Sequence, residues 1–342
     1  MDLDLTPEQQ QVVEALRSLF ARNCTSDVVR ASEPAGFDPE LWTAFSNLAG
    51  PAIGVPEDQG GGGASLLDLE LISEQVGTFL APVPFIEGAV AARTLALVGD
   101  RGRSKLNVLI TEPATVSTLA LHPAVQGTAQ LVPSGAIARI VIAMDGDDLV
   151  VVGGRPDERN RNNLGSSPLA DRALRGSDRS VLSQGVMACR AYEQAQDEWR
   201  VLMSGALVGV GEAALALGVE YAKNRHQFGV PIGSFQSIAR DLADVATAVD
   251  GARLLAREAA WAQAEEDQDF CSLASMAFLF ATRAARRASN VALHVHGGYG
   301  FTLEYDIQLY YRRAQSWPLA LGDPRRGAAQ LADALFGPTE VA

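Results

Sequence analysis

Positive charge is in short supply in this 342-residue chain, where 28 lysines and arginines stand against 41 aspartates and glutamates for a formal net charge of -13. A surface of that sign repels nucleic acid and anionic membrane over most of its area, so neither is expected as a partner, and an anionic small ligand needs a local basic pocket. Cysteine is scarce as well. Cys24, Cys189 and Cys271 are odd in number, far apart and in no metal-ligand spacing, which argues against a disulfide framework or a metal site and predicts reduced core thiols in a cytoplasmic protein. No run is expected to be long enough to cross a bilayer, and the opening Met1-Asp2-Leu3-Asp4 is acidic where an export signal is basic and then apolar. What is present, 47% hydrophobic and 20% charged residues, suits a folded chain of two or three packed units.

Along the chain, Thr6 and Pro7 open a helix whose Val12, Val13, Leu16, Leu19 and Phe20 share a face; further helices are predicted over Pro39 to Leu48 and from Ser65 towards Phe79. Between the last two lies Gly54 to Gly63. Its four consecutive glycines could cradle a phosphate, but no Lys-Ser/Thr follows, so a structural turn is expected. Residues 1–104 therefore read as an N-terminal helical domain. Residues 105–182 read as a small antiparallel β domain, with strands at Asn107 to Thr111, Ile137 to Ala143 and Leu149 to Val152, a hairpin turn at Asp145-Gly146-Asp147 and loop from Arg155 to Ser180. Residues 183–342 read as a C-terminal four-helix bundle. Val201 to Lys223 is small and apolar enough for close helix approach, and Ile238, Leu242, Val245, Val249, Ala252 and Ala256 form the seam of the next helix. A third helix, Ser272 to His294, ends near Gly297 as a left-handed cap, and Arg325 to Leu335 completes the bundle. The fold class is mainly α with a small β domain.

The link between the first two bundle helices, Asn224 to Gln236, is polar and punctuated by glycine. Arg225 offers a guanidinium, Gln227 and Gln236 offer amides, and Gly229 and Gly233 allow tight turns. Two readings fit: a site for a phosphorylated or heteroaromatic ligand, or a helix connection whose Arg caps the preceding helix.

The pattern Arg-x-Gln-Phe-Gly-x-Pro-Ile-x-x-Phe-Gln over Arg225 to Gln236, with His296-Gly297-Gly298-Tyr299-Gly300 after the third helix, resembles the acyl-CoA dehydrogenases, as does the order of helical domain, β domain and bundle. The N-terminal Leu5-Thr6-Pro7-Glu8-Gln9 and Val55-Pro56-Glu57-Asp58 add to it. The resemblance implies FAD at a subunit interface, its flavin against one subunit's β domain and its ADP half against a neighbour's bundle. The matching cofactor-binding residues are Arg225, Gln227, Phe228 and Gln236, with Gly297, Gly298 and Gly300. It also implies an acyl-CoA substrate desaturated between Cα and Cβ, a glutamate base, and an electron-transfer flavoprotein or similar acceptor. No metal is implied, and His226, His294 and His296 form no metal set.

The chain departs from the family where the base should stand. Counted from Arg312, Leu321 takes the glutamate's place in the Tyr-Glu-Gly-Thr pattern, Gly322 is kept and Asp323 replaces Thr. At the other position that some members use, counted back from Arg225, stands Trp199. Glu198 is its neighbour, but one residue turns a side chain about 100° round a helix. Glu198, Glu212 and Asp323 are the candidate displaced carboxylates, with solvated helix charge as the alternative. Thr111-Glu112-Pro113 survives from the flavin-facing pattern, but Ala114 to Ser117 and Ile140 to Ala143 do not follow it.

An intact cofactor loop without a base resembles the shortened, base-lacking subunit of heterotetrameric actinobacterial steroid side-chain acyl-CoA dehydrogenases. That resemblance implies a full-length partner subunit and a steroid side-chain CoA substrate. Two other readings stay open: a self-sufficient homo-oligomeric dehydrogenase with a displaced carboxylate, and a flavin-free binding or scaffold protein.

Overall fold

A computed structural model describes residues 5–154, 161–176 and 178–337. Helix α1 (Pro7–Asn23) starts as expected, with the Thr6 hydroxyl and the Gln9 side chain each bonded to the other's backbone N–H. There follow α2 (Ser26–Ser32), α3 (Pro39–Ala49), α4 (Leu66–Thr78), α5 (Phe85–Leu97) and α6 (Asp100–Thr111). The stretch Asn107 to Thr111 is thus helix, not strand. A short run such as Val108-Leu109-Ile110 fits either structure, and here Leu106 and Leu109 supply the buried face of α6. The expected boundary at 104/105 falls inside this helix. The glycine stretch is a turn: Gly61, Gly62 and Gly63 donate their N–H groups to Pro56, Ala52 and Val55, leaving those donors nothing to offer a phosphate.

The strands are β1 (Ser117–Leu119), β2 (Thr128–Val132), β3 (Ile140–Asp145), β4 (Asp148–Gly153), β5 (Ala170–Ala173) and β6 (Arg179–Gln184). Strands β3 and β4 form the expected hairpin, Asp145 paired with Asp148. They are the middle of a four-stranded sheet ordered β1-β3-β4-β6, and both read as continuous apolar runs because both are buried. The sheet is not purely antiparallel, since β1 pairs parallel with β3. Nor is the stretch to Ser180 all loop: β5 pairs with β2, and β6 begins at Arg179. Residues 155–160 and 177 of that stretch lie outside the described residues.

Helix α7 (Gly185–Asn224) leads through the short hairpin of β7 (His226–Gln227) and β8 (Val230–Pro231) into α8 (Gln236–Ala264), α9 (Phe270–His296), α10 (Ile307–Ser316) and α11 (Pro324–Phe336). The seam of α8 is buried from Leu242 to Ala256. Helix α10, absent from the sequence expectation, buries Ile307, Leu309 and Ala314 and packs on α9, whereas α11 buries no residue. The glycines of α7 and α4 do what small residues predict: a Cβ on Gly77 would strike Ala206, and one on Gly209 would strike Glu74, so the two backbones touch.

By internal contact the chain divides into two units. One holds the chain up to Asp27, Glu70–Ala81 and the chain from Val201; the other holds Val28–Leu69 and Pro82–Arg200. Two expectations need correction. Helix α7 is long and apolar enough to cross a membrane, with mean hydropathy 1.7 over its best 18 residues, but 72% of that window is buried, as in a core helix. Of the thiols, Cys24 is buried and Cys271 is exposed.

Candidate functional site

The Asn224 to Gln236 link projects a two-residue turn into solvent. Phe228 (φ +52°) and Gly229 (φ +82°) are both in the left-handed region, as a tight hairpin between β7 and β8 requires. The Phe228 ring is 93% exposed, touching Phe235 edge-on at 6.2 Å. Arg225, Gln227 and Gln236 are exposed too. The Arg225 backbone N–H bonds Tyr221 and its carbonyl accepts from Ile232, but its guanidinium has no partner among the described residues and caps no helix. An unpartnered guanidinium, two amides and a bare aromatic ring on one rigid turn are groups with capacity to spare.

The second glycine stretch lies beside this turn. Tyr221, one turn before Arg225, stacks on His296 at 4.2 Å, and Tyr305 meets both rings edge-on. Ile232 and Phe235 of the link share an apolar cluster with Ile238, Val291 and Val295. Those last three also floor an open groove of about 450 Å³, rimmed by Ser237, Asp241, Arg287, Asn290 and His294. Gly297 (φ +61°, ψ -140°) ends α9 in a conformation that suits glycine, though not the left-handed helical one expected of a cap. A Cβ would meet nothing at Gly297 or Gly298, so their backbone faces open space; at Gly300 it would lie 2.6 Å from the Leu293 carbonyl oxygen, and that glycine serves close packing.

His296 is structural. It is buried, its Nδ1–H donates to the Ala292 carbonyl at 2.7 Å, and desolvation pulls its pKa below the usual imidazole value. Among the described residues no cluster of His, Cys, Asp and Glu could hold a metal.

The three candidate carboxylates are all engaged elsewhere. Glu198 is buried in a two-pronged pair with Arg93, Nε to Oε2 at 2.8 Å and Nη2 to Oε1 at 3.0 Å. Glu212 accepts from Arg253 at 2.7 Å. Asp323 is the N-cap of α11, accepting from the Arg325 backbone and pairing with its guanidinium, whose hydrogen bonds hold the carboxyl below the ordinary aspartate range. Leu321 is half-buried at the end of a short 3-10 turn, Trp317–Leu321, and Trp199 is buried.

Sequence reasoning missed Glu87, in the first turn of α5. It is half-buried, desolvation raises its pKa, and the nearby polar groups of Trp199 and Ser134 oppose that rise without cancelling it. Ser134 holds a strained backbone at φ +56°. The one clue in the sequence was an acid embedded in the apolar Pro84-Phe85-Ile86 to Ala92 run.

The family model described as acyl-CoA dehydrogenase, N-terminal domain, matches residues 6–102, and that described as acyl-CoA dehydrogenase, C-terminal domain, matches residues 190–335. The chain belongs to the acyl-CoA dehydrogenase family. It is 29% identical over 335 residues to acyl-CoA dehydrogenase IpdE2 of Mycolicibacterium smegmatis, covering 97% of this chain and all of the relative. Its fold matches the ChsE4-ChsE5 complex from Mycobacterium tuberculosis with a TM-score of 0.86 at 23% identity, covering 99% of this chain and 100% of that one. It also matches the Tcur3481-Tcur3483 steroid ACAD G363A variant with a TM-score of 0.85 at 23% identity, covering 96% and 97%. Acyl-CoA dehydrogenases are oxidoreductases acting on CH-CH bonds, and their cofactor is FAD. The Arg225 turn and the open backbone at Gly297 and Gly298 fit the phosphate-bearing half of such a cofactor: a free cation, free amides and no side chain in the way.

Proposed function

We propose that this chain is the accessory subunit of a hetero-oligomeric, FAD-dependent acyl-CoA dehydrogenase, completing the cofactor site of a full-length partner that carries the base. The observation that carries the reading is the solvent-facing Arg225 turn, with an unpartnered guanidinium and a bare Phe228 ring. The lack of a free carboxylate at Leu321, Trp199, Glu198, Glu212 or Asp323 supports it. Similarity to the ChsE4-ChsE5 complex and the Tcur3481-Tcur3483 steroid ACAD supports a hetero-oligomer and a steroid side-chain CoA as the substrate class. The place of action is the cytoplasm, with an electron-transfer flavoprotein or similar protein as acceptor.

In this reading Arg225 neutralises pyrophosphate charge through paired hydrogen bonds. Gln227 and Gln236 hold neighbouring polar groups, Phe228 covers the adenine face, and Gly297 and Gly298 let backbone approach closely. FAD, when bound, supplies the two-electron oxidising power for the Cα–Cβ bond. The tests are co-purification with a full-length relative and bleaching of the flavin by an acyl-CoA. Turnover by the lone chain would sink the accessory role.

One observation favours a self-sufficient enzyme instead. Glu87 contacts Trp199, the residue at one of the family's two base positions, and its raised pKa is the direction a general base needs. Under the accessory reading, Glu87→Gln in the assembled enzyme leaves kcat within about twofold; a loss of a hundredfold or more, the typical scale for removing a general base, would transfer the base to Glu87.

A further inference from the structure

Helix α4 carries two acids one turn apart, Glu70 and Glu74, that the cofactor site does not use; both are inside the fold. Glu70 is wholly buried, and neither of its carboxyl oxygens has a hydrogen-bond partner among the described residues. Glu74 Oε2 and Arg257 Nε are buried and unpartnered in the same way. Orphaned polar atoms are rare in native interiors, and four around one residue pair call for a physical cause.

The charges that act on Glu70 are Glu74 on its own helix and Arg253 and Arg257 on α8. Arg253 is already shared, reaching Glu74 at 3.2 Å, Asp250 at 2.9 Å and Glu212 of α7 at 2.7 Å. Arg257 approaches Glu74 Oε2 only to 3.7 Å. Four acids against two guanidiniums leave an excess of negative charge around a buried group. Helix α7 packs closely on Glu70 through Gly205, where a Cβ would lie 2.9 Å from Glu70 Oε1, and among the described residues no group of His, Cys, Asp and Glu could hold a metal cation. A proton is the counter-charge that fits.

We propose that Glu70 and Glu74 share one proton, forming an acid–carboxylate pair that fastens α4 to α7 and α8. Glu70 supplies the O–H and Glu74 Oε2 accepts it; acids four residues apart lie on the same helix face. Burial, and then the Glu74 charge, push the Glu70 pKa up to about 8. The folded chain therefore holds a proton that the unfolded chain releases near the ordinary glutamate pKa. The resulting stabilisation is full below that ordinary value, declines as pH rises, and is gone above about 8.

The test is infrared spectroscopy of the full chain at neutral pH, with thermal unfolding followed between about pH 6 and pH 9. The wild type is expected to show the carbonyl band of a protonated carboxylic acid, and Glu70→Gln to lose it. The wild-type midpoint should fall as pH rises, while Glu70→Gln, whose amide donates without titrating, keeps a flatter profile. A wild type without the band at neutral pH, which needs no variant to observe, or equal pH slopes in the two proteins, overturns the proposal.

Discussion

Arg225→Ala is expected to weaken FAD retention by the assembled complex roughly tenfold to a hundredfold, the loss of a charge-assisted hydrogen-bonded pair worth about 1.5–3 kcal/mol. The fold should survive, because the exposed guanidinium makes no hydrogen bond or ion pair among the described residues and the backbone bonds to Tyr221 and Ile232 do not involve the side chain. Arg225→Lys separates charge from geometry: a point charge restores attraction to phosphate but not the paired hydrogen bonds, so retention should recover only in part. Flavin release from the complex, followed by fluorescence over rising salt, is the measurement. Retention equal to wild type in Arg225→Ala would leave the turn as a helix connection and nothing more.

Arg93→Ala should unfold the protein more readily than any of the surface changes. It strands the Glu198 carboxylate, 3% exposed, without the two charged hydrogen bonds from Arg93, leaving it only the longer one from the Gln194 amide at 3.3 Å. Removing one partner of a buried pair costs about 3–5 kcal/mol, because the remaining charge has neither water nor counter-ion. Thermal unfolding should shift down by on the order of 5–10 °C. Replacing both partners, Arg93→Met with Glu198→Leu, should recover most of that loss, since an apolar pair of similar volume leaves no charge behind. The double change also bears on chemistry. If Glu198 acted as a base, the assembled enzyme would lose turnover even with its stability restored; as a structural ion pair, Glu198 can go without that loss.

The parts of the fold that local sequence determines were legible. Thr6, Pro7 and Gln9 announce α1, Asp145-Gly146-Asp147 announces the β3–β4 hairpin, and the small residues of α7 announce close helix approach, though not that its partner is α4. Short apolar runs were not. Val108-Leu109-Ile110 reads as strand, and only the packing of Leu106 and Leu109 makes it helix. Strands β5 and β6 were hidden because Asp171, Arg172 and Arg179 look like loop residues until β2 and β4 supply their partners.

The candidate site divides the same way. The Arg225 to Gln236 link is contiguous, so its groups could be read in a row. Glu87 could not, and nor could Glu70 and Glu74 outside that site, because a charge within a helical pattern reads as solvent-facing. The groups that act on Glu87 and Glu70 inside the fold, Trp199 and Ser134 on the one and Arg253 and Arg257 on the other, come from distant segments. Asp323 misled for the opposite reason: its place near the missing base is real in sequence, but Pro324 and Arg325 make it a helix cap.

The central claim is that Arg225 and its neighbours serve another subunit's cofactor. Flavin stoichiometry tests it most directly, measured on this chain alone, on a full-length partner alone and on the two co-expressed. The expected result is little or no FAD on either chain alone and one tightly held FAD per pair of chains when they are purified together. One FAD per chain on this protein by itself, reduced by an acyl-CoA without any partner, would contradict it.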